Sequence, residues 1–179
     1  MGVHIALLRG INVGGHNKLP MKELAAMFEE ADCAEVRTYI QSGNVAFEAP
    51  AALARRIPGI IAASIDDRFG LQIPVITRKA SEIADIVSSN PYARDGADKK
   101  QLCVAFLADT PSAEGLAALD PHRSPPDEFV VRGAEIYLRL RNGAAGTKLT
   151  NAYFDATLGT TSTVRNWRTT LKLLEMTRS

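Results

Sequence analysis

The hydrophobic pattern of this 179-residue sequence predicts an α+β fold. Strand-like and helix-like segments alternate in the order βαββαβ over residues 1–79, the same order returns from residue 101, and an amphipathic segment ends the chain. A βαββαβ unit builds a four-stranded sheet with two helices on one face, which is the ferredoxin-like arrangement. We therefore predict two tandem ferredoxin-like subdomains, 1–79 and 80–179, with a connector helix opening the second and a C-terminal helix closing it.

The first predicted subdomain contains six elements. In order they are a strand (3–8), a helix (from 21), two strands of a hairpin (36–41 and 44–48), a helix (51–69) and a strand (73–78). Ser42 and Gly43 form the hairpin turn, because a small polar residue and a glycine suit the backbone of a short connection. Pro58 and Gly59 should kink or break the second helix before Gly70 ends it.

The second predicted subdomain repeats this order of elements. A connector helix capped by Ser81 runs to about residue 90, and a polar segment follows over 92–100. The remaining elements are a strand (101–107), a helix (about 112–119), two strands (127–131 and 135–140), a helix (about 148–158), a short strand (162–164) and the C-terminal helix (165–176). The halves show no convincing residue-by-residue match, so the predicted repeat is one of element order.

Four motifs carry a resemblance to a known family. They are ALLRGINVGGHNKLPM (6–21), VRTYIQSGNVAF (36–47), KLTN (148–151) and VRNWRTTLKLLE (164–175). In this order they resemble the bacterial domain-of-unknown-function family 1697, over nearly the whole chain. The resemblance implies two ferredoxin-like subdomains and carries no established activity or catalytic residue. Pro58 and Gly59 are a departure, since such proteins usually run this helix unbroken.

The composition is typical of a soluble globular protein. Apolar residues make up 46% and charged residues 23%, and no stretch approaches the roughly 18 apolar residues of a membrane helix. The apolar run at residues 3–8 is too short for the core of a signal peptide, so we expect a cytoplasmic protein without a membrane partner. The formal net charge of +1 argues against nucleic-acid binding by bulk electrostatics, so any nucleic-acid surface must be local.

Cysteine and histidine spacing gives no metal signature. Cys33 and Cys103 belong to no paired-cysteine motif, which predicts two reduced, buried thiols. His4, His16 and His122 lack the short spacings from which one element builds a zinc site. We expect neither a metal nor a bound cofactor.

The loop after the first strand, residues 9–18, is the first candidate binding site. It is longer than the about 2–6 residues usual for strand-to-helix connections in compact domains. Glycines free the backbone to turn its N–H groups outward, the following helix offers further N–H groups, and two basic side chains add charge, which together suit a phosphate or carboxylate. The candidate ligand-binding residues of this loop are Arg9, Asn12, Gly14, Gly15, Asn17 and Lys18.

A plainer interpretation of the same loop is open. The glycines can serve turns with positive φ, and Arg9 can pair with an acidic neighbour. The run GINVGG is not a dinucleotide-binding fingerprint, because its glycines lie at other positions than in G-x-G-x-x-G, and it does not fit a Walker A loop either.

RNGAAGTKLT (141–150) is the second candidate loop. It follows a strand and opens a helix, with Thr147 as the expected cap and Lys148 in the first turn. It is no P-loop, because two residues separate Gly143 from Gly146 and Thr147 intervenes before the lysine. Lys148 remains a candidate anion ligand; the alternative is a glycine-rich turn before a capped helix.

The start of the C-terminal helix supplies the last two candidate ligands, Arg165 and Asn166. If the two halves fold together, these residues can join the glycine loops in a cleft, where ligands often lie. The basic stripe of this helix is more commonly a solvated charged face.

The hairpin residues Arg37, Tyr39 and Gln41 share one strand face, as in RNA-recognition domains. The first strand offers no aromatic residue for base stacking, so packing against the other half is the favoured interpretation of this face. Ser42 is interpreted as a turn residue, since no His or Lys is tied to it by a motif.

Together these features lead to the hypothesis of a module that binds a phosphate-bearing ligand, a nucleotide or a nucleic-acid backbone, at glycine-rich loops between the two halves. One alternative is an enzyme, a transferase or hydrolase on such a ligand, in which His16 or Asp109 transfers a proton. Another is a protein-interaction module that uses an open sheet face. The sequence identifies neither the ligand nor a protein partner.

Overall fold

A computed structural model of the protein describes residues 1–178 and confirms the predicted α+β fold. The described chain forms two four-stranded antiparallel sheets, each built in the order βαββαβ, and a helix follows the second sheet. Its contacts define two compact units. One unit is residues 1–84 with the chain from Leu173 onward, and the other is residues 85–172. The predicted sequence boundary after residue 79 stays a prediction.

The first unit contains the elements that the hydrophobic pattern predicted. They are β1 (Gly2–Leu8), α1 (Met21–Glu30), β2 (Ala34–Tyr39), β3 (Asn44–Ala49), α2 (Ala51–Ala54), α3 (Ile57–Phe69), β4 (Val75–Lys79) and the start of α4 (Ala80–Ser88). The strand order is β2-β3-β1-β4, which is that of a ferredoxin-like sheet. The expected break in the second helix is present, and Pro58 lies in the first turn of α3, where a missing N–H costs nothing. Gly70, with φ of 64°, ends that helix as predicted.

Helices α1 and α3 pack on one face of the first sheet. Alternate residues of β1 and β3, such as Ala6, Leu8 and Phe47, meet apolar residues at helical spacing, such as Phe28 and Ile61. All five are fully buried. Each large apolar side chain contributes about 1.5–3 kcal/mol by leaving water. This core fixes the end of β1 from which the first candidate loop starts.

The second unit has the same topology. Its remaining elements are α5 (Pro91–Arg94), β5 (Leu102–Leu107), α6 (Ala113–Ala118), β6 (Glu128–Arg132), β7 (Glu135–Arg139), α7 (Asn151–Leu158), β8 (Ser162–Asn166) and α8 (Trp167–Met176), which continues into the first unit. The strand order is β6-β7-β5-β8.

Four predicted positions near helix starts are corrected by the structure. Helix α7 begins at Asn151 because Thr150, and not Thr147, accepts the capping hydrogen bond, from the N–H of Tyr153. Lys148 therefore precedes the helix. Strand β8 runs to Asn166, so Arg165 and Asn166 lie in a strand, and α8 begins at Trp167.

The connector helix starts at Ala80, one residue before the predicted cap Ser81. The carboxylate of Glu82 takes over the capping role, since its Oε2 accepts a hydrogen bond of 2.6 Å from the N–H of Lys79.

The second face of each sheet is also buried. In the first unit Ile5 and Leu7 lie on this face, and Arg37 Nη2 donates a 2.9 Å hydrogen bond to the carbonyl oxygen of Met176. In the second unit the hydroxyl of Tyr137 donates a 2.8 Å bond to the carbonyl oxygen of Ile86. The central strands of the described sheets therefore do not offer the open face that the interaction-module alternative requires.

Candidate functional site

The first candidate loop, residues 9–18, folds into a small hairpin of its own. Val13 and His16 form a β-bridge, with a 2.9 Å hydrogen bond from the N–H of His16 to the carbonyl oxygen of Val13. Gly14 and Gly15, with φ of 56° and 77°, occupy the two turn positions. Two consecutive residues with positive φ are the requirement of a type I′ turn, which explains the glycine pair.

Two asparagine side chains hold this hairpin in place. The Asn12 amide donates to the carbonyl oxygens of Leu19 (2.9 Å) and Gln41 (2.8 Å), and its oxygen accepts from the N–H of Leu19 (2.8 Å). Asn17 Nδ2 donates to the carbonyl oxygen of Gly10 at 2.9 Å. Both predicted ligand residues thus shape the loop in this structure, and direct ligand contact by either stays a prediction.

The hairpin turn of β2 and β3 packs beside this loop. Gly43, with φ of 85°, accepts a 2.9 Å hydrogen bond from the N–H of Leu8, and a Cβ atom there would lie 2.7 Å from Leu8 Cβ and 3.0 Å from Ile11 Cδ1. Ser42 Oγ accepts a bond of 3.0 Å from Asn44 Nδ2, which fits its interpretation as a turn residue. The two glycine motifs of the first half therefore meet at one end of the first sheet.

Exposed groups that suit an anion lie along the tip of the loop. Gly14, Gly15, His16 and Lys18 are exposed, and Arg9 is half-buried at the end of β1. Within residues 1–178 the N–H groups of Gly14 and Gly15 have no hydrogen-bond acceptor. The N-terminus of α1 follows directly, with Pro20 in the cap position and no side chain capping the first turn. Free N–H groups and positive side chains are the combination that binds phosphate in proteins.

The second candidate loop, residues 141–150, closes around an acidic side chain. Asp127 accepts hydrogen bonds from Thr147 Oγ1 (2.7 Å), Ser124 Oγ (3.1 Å) and the N–H of Arg141 (2.9 Å). The N–H of Lys148 donates to Ser124 Oγ at 3.0 Å, while its side chain is exposed. An intramolecular carboxylate occupies the donors that an external anion would use, which weakens the case for this loop.

Arg165 and Asn166 form structural contacts in the second unit. Arg165 is buried in β8, where Nη1 donates to Thr163 Oγ1 (2.8 Å) and to the carbonyl oxygen of Val164 (3.1 Å). Burial lowers the pKa of Arg165 to about 10. Asn166 caps α8, since its Oδ1 accepts from the N–H of Thr169 at 2.8 Å.

Arg165 has a counterpart in the first unit that the sequence comparison of the halves missed. Arg78 lies in β4 opposite Ile5 of β1, and Arg165 lies in β8 opposite Val104 of β5. Each guanidinium folds back onto the carbonyl oxygen of the preceding residue, at 2.9 Å for Arg78. The repeat therefore extends to a buried arginine at the same strand position.

The groups considered for catalysis lie in ordinary surroundings. His16 is exposed on the loop of the first unit, and in the second unit Asp109 Oδ2 accepts a 3.2 Å bond from Thr160 Oγ1. Cys33 and Cys103 are free, buried thiols as predicted, and burial raises the pKa of each to about 11, so both are poor nucleophiles at neutral pH. In the described part of the chain, no group of three or more acidic, cysteine or histidine side chains is placed to hold a metal.

A pocket of about 200 Å³ in the first unit escaped the sequence analysis. It lies at the end of the first sheet opposite the glycine loop, because it forms where β1 begins and β4 ends. Its lining residues are His4, Ala51, Ala54, Arg55, Thr77, Arg78, Lys79 and Glu82. They come from β1, α2, the turn after α2, β4 and α4 and share no local motif, so only the fold reveals them.

Fold and loops define a protein of two ferredoxin-like units, the first of which carries a preorganised glycine hairpin. The family described as "Protein of unknown function (DUF1697)" matches residues 1–137, and the chain belongs to that family. This confirms the family that the motifs indicated. The matched residues include the glycine loop and the β2–β3 hairpin, whereas the motifs at 148–151 and 164–175 lie beyond them.

Among solved structures, the chain is similar to the conserved bacterial protein SP0830 from Streptococcus pneumoniae. The two share 18% sequence identity with a TM-score of 0.73, and the likeness covers 98% of each chain. At this identity the likeness concerns the fold. A comparison with curated proteins gave no match. Across residues 1–178, none of the helices has the length and apolar character needed to cross a membrane.

Proposed function

We propose that the protein binds a phosphate-bearing ligand, a nucleotide or a nucleic-acid backbone, at the glycine loop of residues 9–18. The observation that carries this proposal is the turn of Gly14 and Gly15, two exposed residues whose N–H groups lack an acceptor in the described structure. Arg9 and Lys18 flank the turn and supply positive charge. Of the other predicted ligands, Lys148, Arg165 and Asn166 lie in the second unit. The side chains of Arg165 and Asn166 and the N–H of Lys148 form the contacts described above.

Preorganisation supports this use of the loop. The bonds of Asn12 and Asn17 fix five residues at positive φ: Gly10, Asn12, Gly14, Gly15 and Asn17. A loop that is already ordered loses little conformational entropy when it binds, so more of the contact energy appears as affinity.

The proposal is tested by a thermal-shift screen of the whole protein against nucleotides, sugar phosphates and short single-stranded RNA. A ligand at about 100 times its dissociation constant stabilises the folded state by roughly 2.7 kcal/mol, which raises Tm by about 5–11 °C for two-state unfolding at this chain length. We expect Arg9→Ala and Lys18→Ala to reduce the shift and Lys99→Ala to preserve it. Lys99→Ala is the matched control because this substitution removes one exposed positive charge from the second unit. Unchanged affinity of both loop variants for every anion would overturn the proposal.

A protein-binding role is the second candidate for the same end of the molecule. Val13 on the glycine loop and Ile40 on the neighbouring hairpin turn are 60% and 51% exposed, and the Asn12–Gln41 bond joins the two segments. Sedimentation of the wild type and of a Val13→Ser, Ile40→Ser double variant distinguishes this role. Self-association that the double variant loses, together with no thermal shift by any anion, would favour it over ligand binding.

A further inference from the structure

We propose that the pocket beside His4 is a second anion site, which takes a small molecule bearing a phosphate or a carboxylate group. It is independent of the glycine loop. His4 and Arg9 are five residues apart along β1 and its end, which corresponds to roughly 17 Å at the rise of a strand. A ligand at one site therefore touches none of the residues of the other.

The floor of the pocket is part of the sheet face that carries the helices. His4 and Lys79 are direct partners on β1 and β4, and Thr77 lies two residues before Lys79, so all three side chains project from this face. On the other side His4 lies opposite Phe47 and stacks on it, with ring centroids 5.4 Å apart. His4 is 6% exposed, so the fold holds its imidazole in one position. Ala51 and Ala54 of α2 line the pocket as well, with small side chains that leave space.

The charged groups at the pocket are mostly basic. Arg55 and Lys79 are exposed cations of the lining, whereas Arg78 is paired with Ile5, so its guanidinium lies on the opposite face of the sheet. Glu82 is the acidic residue of the lining, and its carboxylate accepts the hydrogen bond from the N–H of Lys79 that starts α4. The Thr77 hydroxyl adds a neutral donor. Two exposed cations with a hydroxyl donor are complementary to an oxyanion.

The size of the pocket limits the ligand. The volume of the pocket is about 200 Å³. Sites for larger ligands usually enclose about 300–1,000 Å³. The pocket therefore suits a single phosphate group or a short carboxylic acid.

Binding should be coupled to the protonation of His4. Burial lowers the pKa of His4, and Lys79 and the N-terminus act in the same direction, while the hydrogen bond with Ala49 and the charge of Glu82 raise it. Arg55 is a further cation of the lining. An anion next to the imidazole favours the charged form, so the pKa of His4 should rise when the site is filled. This coupling provides a readout that a change in folding alone would not give.

The test is an NMR titration of the whole protein with inorganic phosphate and, separately, with malonate. We expect one or both anions to shift the amide signals of Thr77, Lys79 and Glu82 saturably and to raise the pKa of His4. Arg55→Gln and Lys79→Gln should each weaken binding about tenfold or more, since each removes a charge-assisted contact. Arg56→Gln is the matched control, because it removes a neighbouring exposed cation outside the lining.

The outcomes separate this site from the proposed glycine-loop function. Arg9→Ala should leave the amide shifts and the anion affinities of the pocket unchanged. The glycine-loop proposal can therefore fail while the pocket proposal holds, and the pocket proposal can fail while the glycine-loop proposal holds. A response to phosphate alone or to malonate alone identifies which group the pocket prefers. No saturable shift with either anion, or equal affinities of the Arg55, Lys79 and Arg56 variants, would overturn the proposal.

Discussion

Asn12 determines the shape of the candidate loop more than any of its charged residues. Its amide forms three hydrogen bonds, two to the segment that follows the loop and one to the carbonyl oxygen of Gln41, 29 positions further along the chain. The backbone of Asn12 has φ of 54°, a conformation that asparagine tolerates better than most residues. Asparagine at position 12 therefore both tolerates the positive φ and forms hydrogen bonds with the backbone N–H and carbonyl groups of Leu19.

Replacing Asn12 by alanine should destabilise the protein. Asn12→Ala removes all three bonds and leaves the N–H of the buried Leu19 without this acceptor. It also places alanine at a positive φ, a conformation that alanine tolerates less well than asparagine. We expect a loss of about 2–4 kcal/mol in the free energy of unfolding, measured by urea denaturation. Asn17→Ala is the comparison, because Asn17 also has a positive φ, of 51°, but loses one amide bond on the exposed loop, so this substitution should cost clearly less, about 1–2 kcal/mol. Equal effects of the two substitutions would contradict this account.

At the scale of elements, the local pattern predicted strands and helices well and helix starts poorly. Thr147 resembled a cap in the sequence, but its hydroxyl donates to Asp127, and Thr150 caps α7 instead. Ser81 resembled a cap as well, yet Glu82 accepts the bond that starts α4. The contact of Thr147 depends on Asp127, 20 positions earlier in the chain, so spacing could not reveal it. The bond of Glu82 is local, but it is made to Lys79, a residue type that gives no capping signal in the sequence.

The β2–β3 turn provides a prediction at this scale, through its packing against β1. Gly43→Ala places a Cβ atom 2.7 Å from Leu8 Cβ in a backbone with φ of 85°, so it adds a steric conflict to an unfavourable conformation. Gly15→Ala has a similar φ of 77° and no atom within 4 Å of the added Cβ, so it carries the conformational cost alone. We expect Gly15→Ala to cost about 1–2 kcal/mol and Gly43→Ala to cost clearly more or to prevent folding. If the urea denaturation midpoints of the two variants are equal, the backbone of the β2–β3 turn accommodates the added Cβ atom, and the steric conflict with Leu8 costs no stability.

At the scale of the whole molecule, the fold was predictable and the sites were predictable only in part. The succession of short apolar strand segments and segments of helical spacing predicted the βαββαβ order twice, because the strands and helices of each unit bury apolar side chains in one core. The glycine loop was visible since its residues are contiguous. The pocket at His4 was not, because strand register alone brings His4 beside Lys79. The sequence did not reveal the equivalence of Arg78 and Arg165 either. The residues around the two arginines differ, and the two share only their position in the strand.

His4 should also make the stability of the folded protein depend on pH. Burial lowers its pKa below the ordinary value of 6.5, so between the folded and the unfolded pKa the unfolded chain binds more protons. Stability is therefore full above about pH 6.5 and falls as the pH drops through this window. His4→Phe retains an aromatic ring against Phe47 and cannot titrate, so its free energy of unfolding should vary less between pH 7 and pH 5. His122→Gln, which removes an exposed histidine from the second unit, should keep the wild-type dependence. Urea denaturation at several pH values measures these slopes. If His4→Phe has the same slope as the wild type, protonation of this imidazole is not what weakens the fold in acid.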